Sequence, residues 1–106
     1  LKMLSKNRLK YLNSLEKKKY RKLESKFIVE GVRAVEDGLN SDYLCEEVFV
    51  LDSKIDSLKP LLNVAEEMSL KITEVSESEL SRFTSTQHPQ SIAAIFRFKE
   101  NIDNIG

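Results

Sequence analysis

Five cations fall within six residues at Lys17, Lys18, Lys19, Arg21 and Lys22, with Tyr20 set among them. Like charges this close repel one another unless solvent or an anion relieves them. Phosphate is the anion such a run suits. Lysine supplies a compact point charge, arginine a planar fork that also stacks on a base, and Tyr20 a flat ring, so parts for RNA backbone and base contacts stand together. The same run also suits a solvated loop that aids solubility, and charge alone does not choose between the two.

Other residues with chemical potential are more isolated. Glu30 ends the apolar run Phe27, Ile28, Val29 and is followed by Gly31. On a strand its side chain shares a face with Ile28, so burial would require the amides of a following helix or Arg33 as partners. With no second carboxylate or histidine near it in sequence, it reads as a structural cap rather than a catalytic acid. His88 is the chain's single histidine, in a loop with Pro89 and Gln90. Ser85 and His88 lack an acidic third member, which argues against a hydrolytic triad. Gln90 suits either an RNA edge or a loop cap. Cys45, the single cysteine, stands beside Glu46 and Glu47 with no cation to lower its pKa, so a reactive thiolate is not expected. One Cys and one His leave no Cys-rich zinc site, no redox pair and no disulfide framework. The glycine-rich nucleotide signatures, the HExxH motif and the GxSxG elbow are all absent.

The elements that must position these residues belong to a chain of 106 residues, 41% hydrophobic and 32% charged, which describes one soluble globular domain. No run approaches a membrane span and no signal peptide is evident, so a cytoplasmic protein is expected. The formal net charge of zero hides a division at Arg33. Residues 1–33 hold eleven basic residues against Glu16, Glu24 and Glu30, a net charge of +8, and the remainder carries −8. Such asymmetry favours a basic contact with nucleic acid or an anionic surface in the first third.

Ser5 can cap a helix to about Glu16 whose apolar arc is Leu4, Leu9, Leu12 and Leu15 with Tyr11, while Lys6, Lys10, Asn13 and Lys17 fall opposite. Arg8 sits in the apolar arc as an exception. Lys17 to Arg21 reads as a cationic turn or short helix, Phe27 to Glu30 as a strand, and Gly31 as a sharp turn. Val32, Val35 and Leu39 form the buried stripe of a helix ending near Asn40. Val48 to Leu51 suits a strand covered on both faces. Leu58, Leu61, Leu62, Ala65 and Met68 recur at helical spacing, with Pro60 tolerated in the first turn. Leu70 to Val75 is a third strand. Ser76 and Glu79 have capping-box spacing before a short helix carrying Leu80 and Phe83. A polar loop over 84–90 precedes the fourth and longest strand, Ile92 to Phe98. The alternation predicts an α/β fold: a small three-layer sandwich with a mixed sheet of about four strands and helices on both faces. The polar stretch 99–106 reads as the start of a linker, and a piece of a longer protein is expected.

Asn7, Lys10 and Leu15, then Lys19, Tyr20 and Arg21, then Phe27 to Gly31 resemble the opening of the SpoU (TrmH-type) RNA ribose 2'-O-methyltransferases. That pattern is an Asn and a Lys on a first helix, a Lys-x-Arg step and a Phe-x-x-Glu-Gly strand end. Gln90, Ser91, Ile92 and Ala93 are similar to the family's Gln-Gly-Ile-x-Ala element, with Ser91 in place of the glycine. The likeness spans nearly the whole chain but is specific mainly up to Gly31. It implies a substrate-binding domain with the fold of kink-turn-binding ribosomal proteins, spanning 1–98. A trefoil-knotted domain would follow, binding S-adenosylmethionine and carrying the catalytic residues, so none of these falls in this chain and the fragment alone would hold no cofactor. It further implies that Asn7, Lys10, Lys19, Tyr20 and Arg21 contact or orient RNA, beside a corner shaped by Glu30 and Gly31 and approached by Gln90. The charge division adds Lys18, Lys22 and Arg33 to the RNA-binding set.

The resulting expectation is an RNA-recognition domain that docks ribosomal or transfer RNA for a methyltransferase. The fragment would be monomeric, with a whole protein that dimerises through the knotted domain. Two alternatives stay open: a stand-alone RNA-binding scaffold, and a protein-docking domain that buries the apolar arc of the first helix against a partner.

Overall fold

In the computed structural model, which describes residues 4–15, 17–84 and 90–98, Ser5 caps the first helix as its position predicts. Its hydroxyl accepts a hydrogen bond from the amide of Arg8 at 3.0 Å and opens α1, Lys6–Ser14. The cationic run forms a second short helix, α2, Lys18–Glu24, which ends on Ser25 in the left-handed region at φ 58°. Strand β1, Lys26–Glu30, leads through Gly31 into α3, Val32–Leu39. Gly31 has φ 103° and ψ 149°, a conformation that only glycine adopts without strain, so this abrupt strand-to-helix corner depends on it.

Strand β2, Leu44–Leu51, a single 3-10 turn over Asp52–Lys54 and α4, Lys59–Glu67, come next. They are followed by β3, Lys71–Val75, α5, Glu77–Phe83, and β4, Ile92–Arg97. The capping box of α5 is complete. Glu79 N donates to Ser76 Oγ at 3.1 Å, and Ser76 N donates to Glu79 Oε1 at 2.9 Å.

The four strands form one mixed sheet in the order β1-β4-β2-β3. β4 pairs antiparallel with both β1 and β2, and β2 pairs parallel with β3. Strand alternation sends side chains to two separate cores. Val48, Val50, Ile92, Ala94 and Phe96 pack with Val35 and Leu39 of α3 and with Leu61, Leu62 and Ala65 of α4. Phe49, Val75, Ala93 and Ile95 pack on the other face with Leu12 of α1 and with Leu80 and Phe83 of α5. The architecture is the expected three-layer α/β sandwich, with α1 and α5 covering one face and α3 and α4 the other.

Three expectations need correction. β2, with eight residues, is longer than the six of β4, because it starts at Leu44 and takes in Glu46 and Glu47, whose charges mask the strand pattern. Val32 is 42% exposed because it opens α3, before the helix settles onto the sheet at Val35. Met68 is 46% exposed because it caps the end of α4, past the turn that packs. Glu16, Ser85, His88, Pro89 and residues 99–106 lie outside the described residues. Among the described residues no helix is long and apolar enough to cross a membrane.

Candidate nucleic-acid interface

The distribution of free cations is decided by two glutamates on β2. The β2–β4 register slips between Cys45 and Glu47, leaving Glu46 as the extra residue of a bulge. The bulge turns Glu46 to the face that Glu47 already occupies, beneath α1. There Glu46 meets Lys26 Nζ at 3.0 Å and Arg97 Nε at 3.4 Å, two residues that face each other across β1 and β4. Glu47 is 3% exposed and accepts from Arg8 Nη2 and from the Thr73 hydroxyl at 2.5 Å, with Lys71 Nζ at 3.8 Å. The irregular position of Arg8 in the apolar arc is thereby explained: its guanidinium follows the arc down to a buried carboxylate, satisfying a charge that would otherwise be costly to bury. The Tyr11 ring lies 5.5 Å from the Arg8 guanidinium and 5.7 Å from Lys26 Nζ. Burial opposes the charge of Lys26, but its hydrogen bonds to Glu46 and Tyr11 prevail and hold its pKa above the usual lysine value.

Arg8 and Lys26 are therefore neutralised within the fold. Lys6, Lys10, Lys17, Lys18, Lys19, Lys22 and Arg33 have no ion-pair partner among the described residues, and all are exposed. Lys19 Nζ lies 5.6 Å from the ring centre of Tyr20, which is 38% exposed. Arg21 reaches back with Nη1 to the carbonyl of Leu15 at 3.4 Å and is half-buried. Helix α2 has no buried residue, and no acid stands in its first turn beside Lys18 and Lys19. Arg21 and Lys22 occupy its last turn, where the helix dipole favours positive charge. A helix with no buried residue and with three lysines crowding its start contributes little to the core, and its composition needs another explanation.

The remaining residues singled out in the sequence divide into three places. Asn7 and Lys10 are exposed on α1, continuous along the chain with α2. Glu30 is half-buried at the end of β1 opposite Ala93, and no second acid or histidine is gathered around it into a metal-binding cluster among the described residues. Gln90 meets the Gly31 corner: a Cβ on Gly31 would lie 3.6 Å from Gln90 Cγ, and Gly31 N donates to Ile92 O at 2.8 Å. Gln90 and Gly31, 59 positions apart in the numbering, thus meet at one corner. Arg33 rides on α3, in the opposite layer from α1, because the Gly31 corner carries the chain there. Burial pushes the Cys45 thiol up to about 11, with the charges of Glu46 and Glu47 adding to the effect, so it stays protonated at neutral pH.

Arg82 was not among the sequence candidates. It stands in the last turn of α5 and lines an open cleft of about 340 Å³ together with Lys6, Leu9, Lys10 and Asn13 of α1. The capping box fixes the phase of α5, and so which side of it Arg82 occupies. That this side meets α1 is a tertiary fact with no local signal.

A model of the MRM3-like substrate binding domain matches residues 6–94. No curated protein matches. Among solved structures, a TrmH-family protein from Porphyromonas gingivalis is 30% identical with a TM-score of 0.74, over 94% of this chain and 38% of that one. An RNA 2'-O ribose methyltransferase is 26% identical with a TM-score of 0.78, over 93% of this chain and 38% of that one. An AdoMet-bound rRNA methyltransferase from Sinorhizobium meliloti shares the fold at 21% identity, with a TM-score of 0.73 over 94% of this chain and 38% of its own. The chain thus spans well under half the length of the structures it matches. With the family model covering the sheet and both helical layers, the chain belongs to the MRM3-like substrate binding domain family.

Proposed function

We propose that this domain docks structured RNA, ribosomal or transfer, for a methyltransferase that modifies a ribose 2'-hydroxyl. The observation that carries the reading is the exposed set Lys6, Lys10, Lys17, Lys18, Lys19 and Lys22 along α1 and α2, without acidic partners among the described residues while Glu46 and Glu47 neutralise Arg8, Lys26 and Arg97. Lysines supply phosphate contacts, Arg21 a planar donor and Tyr20 a ring for a splayed base. Asn7 adds an amide on the same helix. Glu30, Gly31 and Gln90 shape the corner at the far end of β1, and Arg33 adds a cation beyond it on α3, in the opposite layer.

In this reading residues 1–98 are the docking domain and 99–106 lead toward a catalytic domain, in keeping with the 38% share of the relatives' chains that is matched. S-adenosylmethionine, bound in the Sinorhizobium meliloti relative, would belong to that other domain and supply the methyl group there. The α1–α5 cleft does not suit it: Lys6, Lys10 and Arg82 would repel its sulfonium, and no carboxylate lines the cleft among the described residues. Association of the whole protein into a dimer would likewise rest on the catalytic domain, and action on RNA goes with a cytoplasmic location.

A salt-resolved titration of a structured RNA fragment tests the reading. With roughly four to six phosphates contacted, log affinity falls against log salt with a slope of about −4 to −5. Replacing Lys18 and Lys19 by Gln makes that slope shallower by about two units. A flat salt dependence contradicts the reading.

A further inference from the structure

We infer that the cleft between α1 and α5 is a subsite for the phosphodiester backbone of RNA, with Arg82 as its far wall. The inference rests on the docking role proposed above and extends it to a residue from the acidic part of the chain. Residues 34–106 carry a net charge of −8, yet the one cation of α5 lies where it faces Lys6 and Lys10. Three cations from two elements, more than 70 positions apart, line one cleft of about 340 Å³ together with Leu9 and Asn13, and no acid lines it among the described residues. None of the three has an ion-pair partner among the described residues. Convergence of like charge is unfavourable in the empty cleft and becomes favourable when an anion enters.

The cleft is a constructed feature rather than two side chains that happen to be adjacent. Glu79, 4% exposed, ties the two helices together: Oε1 accepts from Ser76 N within the capping box, and Oε2 accepts from Leu4 N at 2.7 Å, ahead of α1. Below it, Leu12 packs with Leu80 and Phe83, all fully buried. These contacts set the distance between the α1 lysines and Arg82 before any ligand arrives, so little ordering is needed on binding.

The chemistry of the lining selects the ligand class. Arg82 offers a planar fork matched to two phosphate oxygens, and Lys6 and Lys10 offer compact charges. Leu9 gives an apolar surface suited to a ribose, and Asn13 both donates and accepts, as a 2'-hydroxyl requires. Lys6, Lys10 and Asn13 follow one side of α1 over about 10 Å at 1.5 Å per residue, and Arg82 stands across from them, so the complementary ligand carries its charge along a line. A polynucleotide strand has that property and a single small anion does not.

The test is a salt-resolved titration of a short RNA hairpin with an internal loop against the wild-type chain, Arg82→Gln, Lys10→Gln, the double variant, and Lys59→Gln on α4 as a control. Arg82→Gln should lower affinity about three- to tenfold at low salt and make the salt slope shallower by about one unit. The double variant should lose less than the product of the two single losses, since both groups serve one phosphate segment. Lys59→Gln should match the wild type. Arg82→Gln binding like the wild type, while Lys18→Gln with Lys19→Gln weakens, overturns the subsite and leaves the docking role standing. Weaker binding with an unchanged slope overturns the phosphate contact, since it assigns Arg82 to the fold. A polyglutamate peptide competing as well as the hairpin at equal charge overturns RNA as the class. Absence of hairpin binding by the wild type at low salt overturns the docking role itself.

Discussion

Arg8 on α1 donates through Nη2 to Glu47 Oε1 on β2, so the one cation within the apolar arc of α1 is what neutralises a carboxylate buried in the sheet. Removing the guanidinium leaves Glu47 with the Thr73 hydroxyl and a distant Lys71. Arg8→Ala should therefore destabilise the fold by about 1–3 kcal/mol, the side chain being partly exposed and partly screened. Urea unfolding measures this directly. Because Arg8 is neutralised internally, the same variant should leave the salt slope of RNA binding unchanged, whereas Lys10→Gln should change the slope and leave stability unchanged.

Gly31 and Gly38 should respond to alanine for opposite reasons. At Gly31 there is room, since the nearest atom to an added Cβ is 3.6 Å away, but φ of 103° is strained for any side chain. At Gly38 the added Cβ would lie 2.3 Å from Cζ of the buried Phe96 ring, which rests against the helix backbone. Both variants should lose about 1–3 kcal/mol. Cutting Phe96 back to Leu should relieve Gly38→Ala and not Gly31→Ala, as thermal melts of the double variants would report.

Glu79 serves the α5 cap and the start of α1 at once. Glu79→Ala leaves both amides without their acceptor and should cost about 1–3 kcal/mol. Amide exchange should speed up at Leu4 and Ser76 together, and RNA affinity should fall because the α1–α5 cleft loses its fixed width.

The Cys45 thiol, pushed up to about 11 by burial, should alkylate slowly at neutral pH, with the rate in the folded chain reaching half its plateau near pH 11. In the unfolded chain the midpoint should sit near 9.0, the ordinary value. The unfolded state therefore releases its proton first, and this group's contribution to stability falls as pH rises between the two midpoints. Iodoacetamide rates across that range, with and without urea, check the order.

Much of this architecture is legible in the sequence where the cause is local. Ser5 and the Ser76–Glu79 pair mark helix starts because a cap acts within three residues. Gly31 marks the corner because only its own backbone angles are at issue, and the charge division at Arg33 needs no geometry at all. Strand order is not local: β4 sits between β1 and β2, and nothing near Ile92 announces it. The start of β2 is hidden because Glu46 and Glu47 look like solvent residues until the bulge and α1 supply Lys26 and Arg8. Arg82 escapes for the same reason, its significance resting on Lys6 and Lys10 across the cleft.

Lysine acetylation of the chain, free and bound to a structured RNA fragment, tests the central claim most directly because it reports each ammonium separately. The account predicts that Lys6, Lys10, Lys17, Lys18, Lys19 and Lys22 lose reactivity in the complex, while Lys54 and Lys59, on the 3-10 turn and α4, keep theirs. Protection of Lys54 and Lys59 with the α1 and α2 lysines still reactive would contradict it.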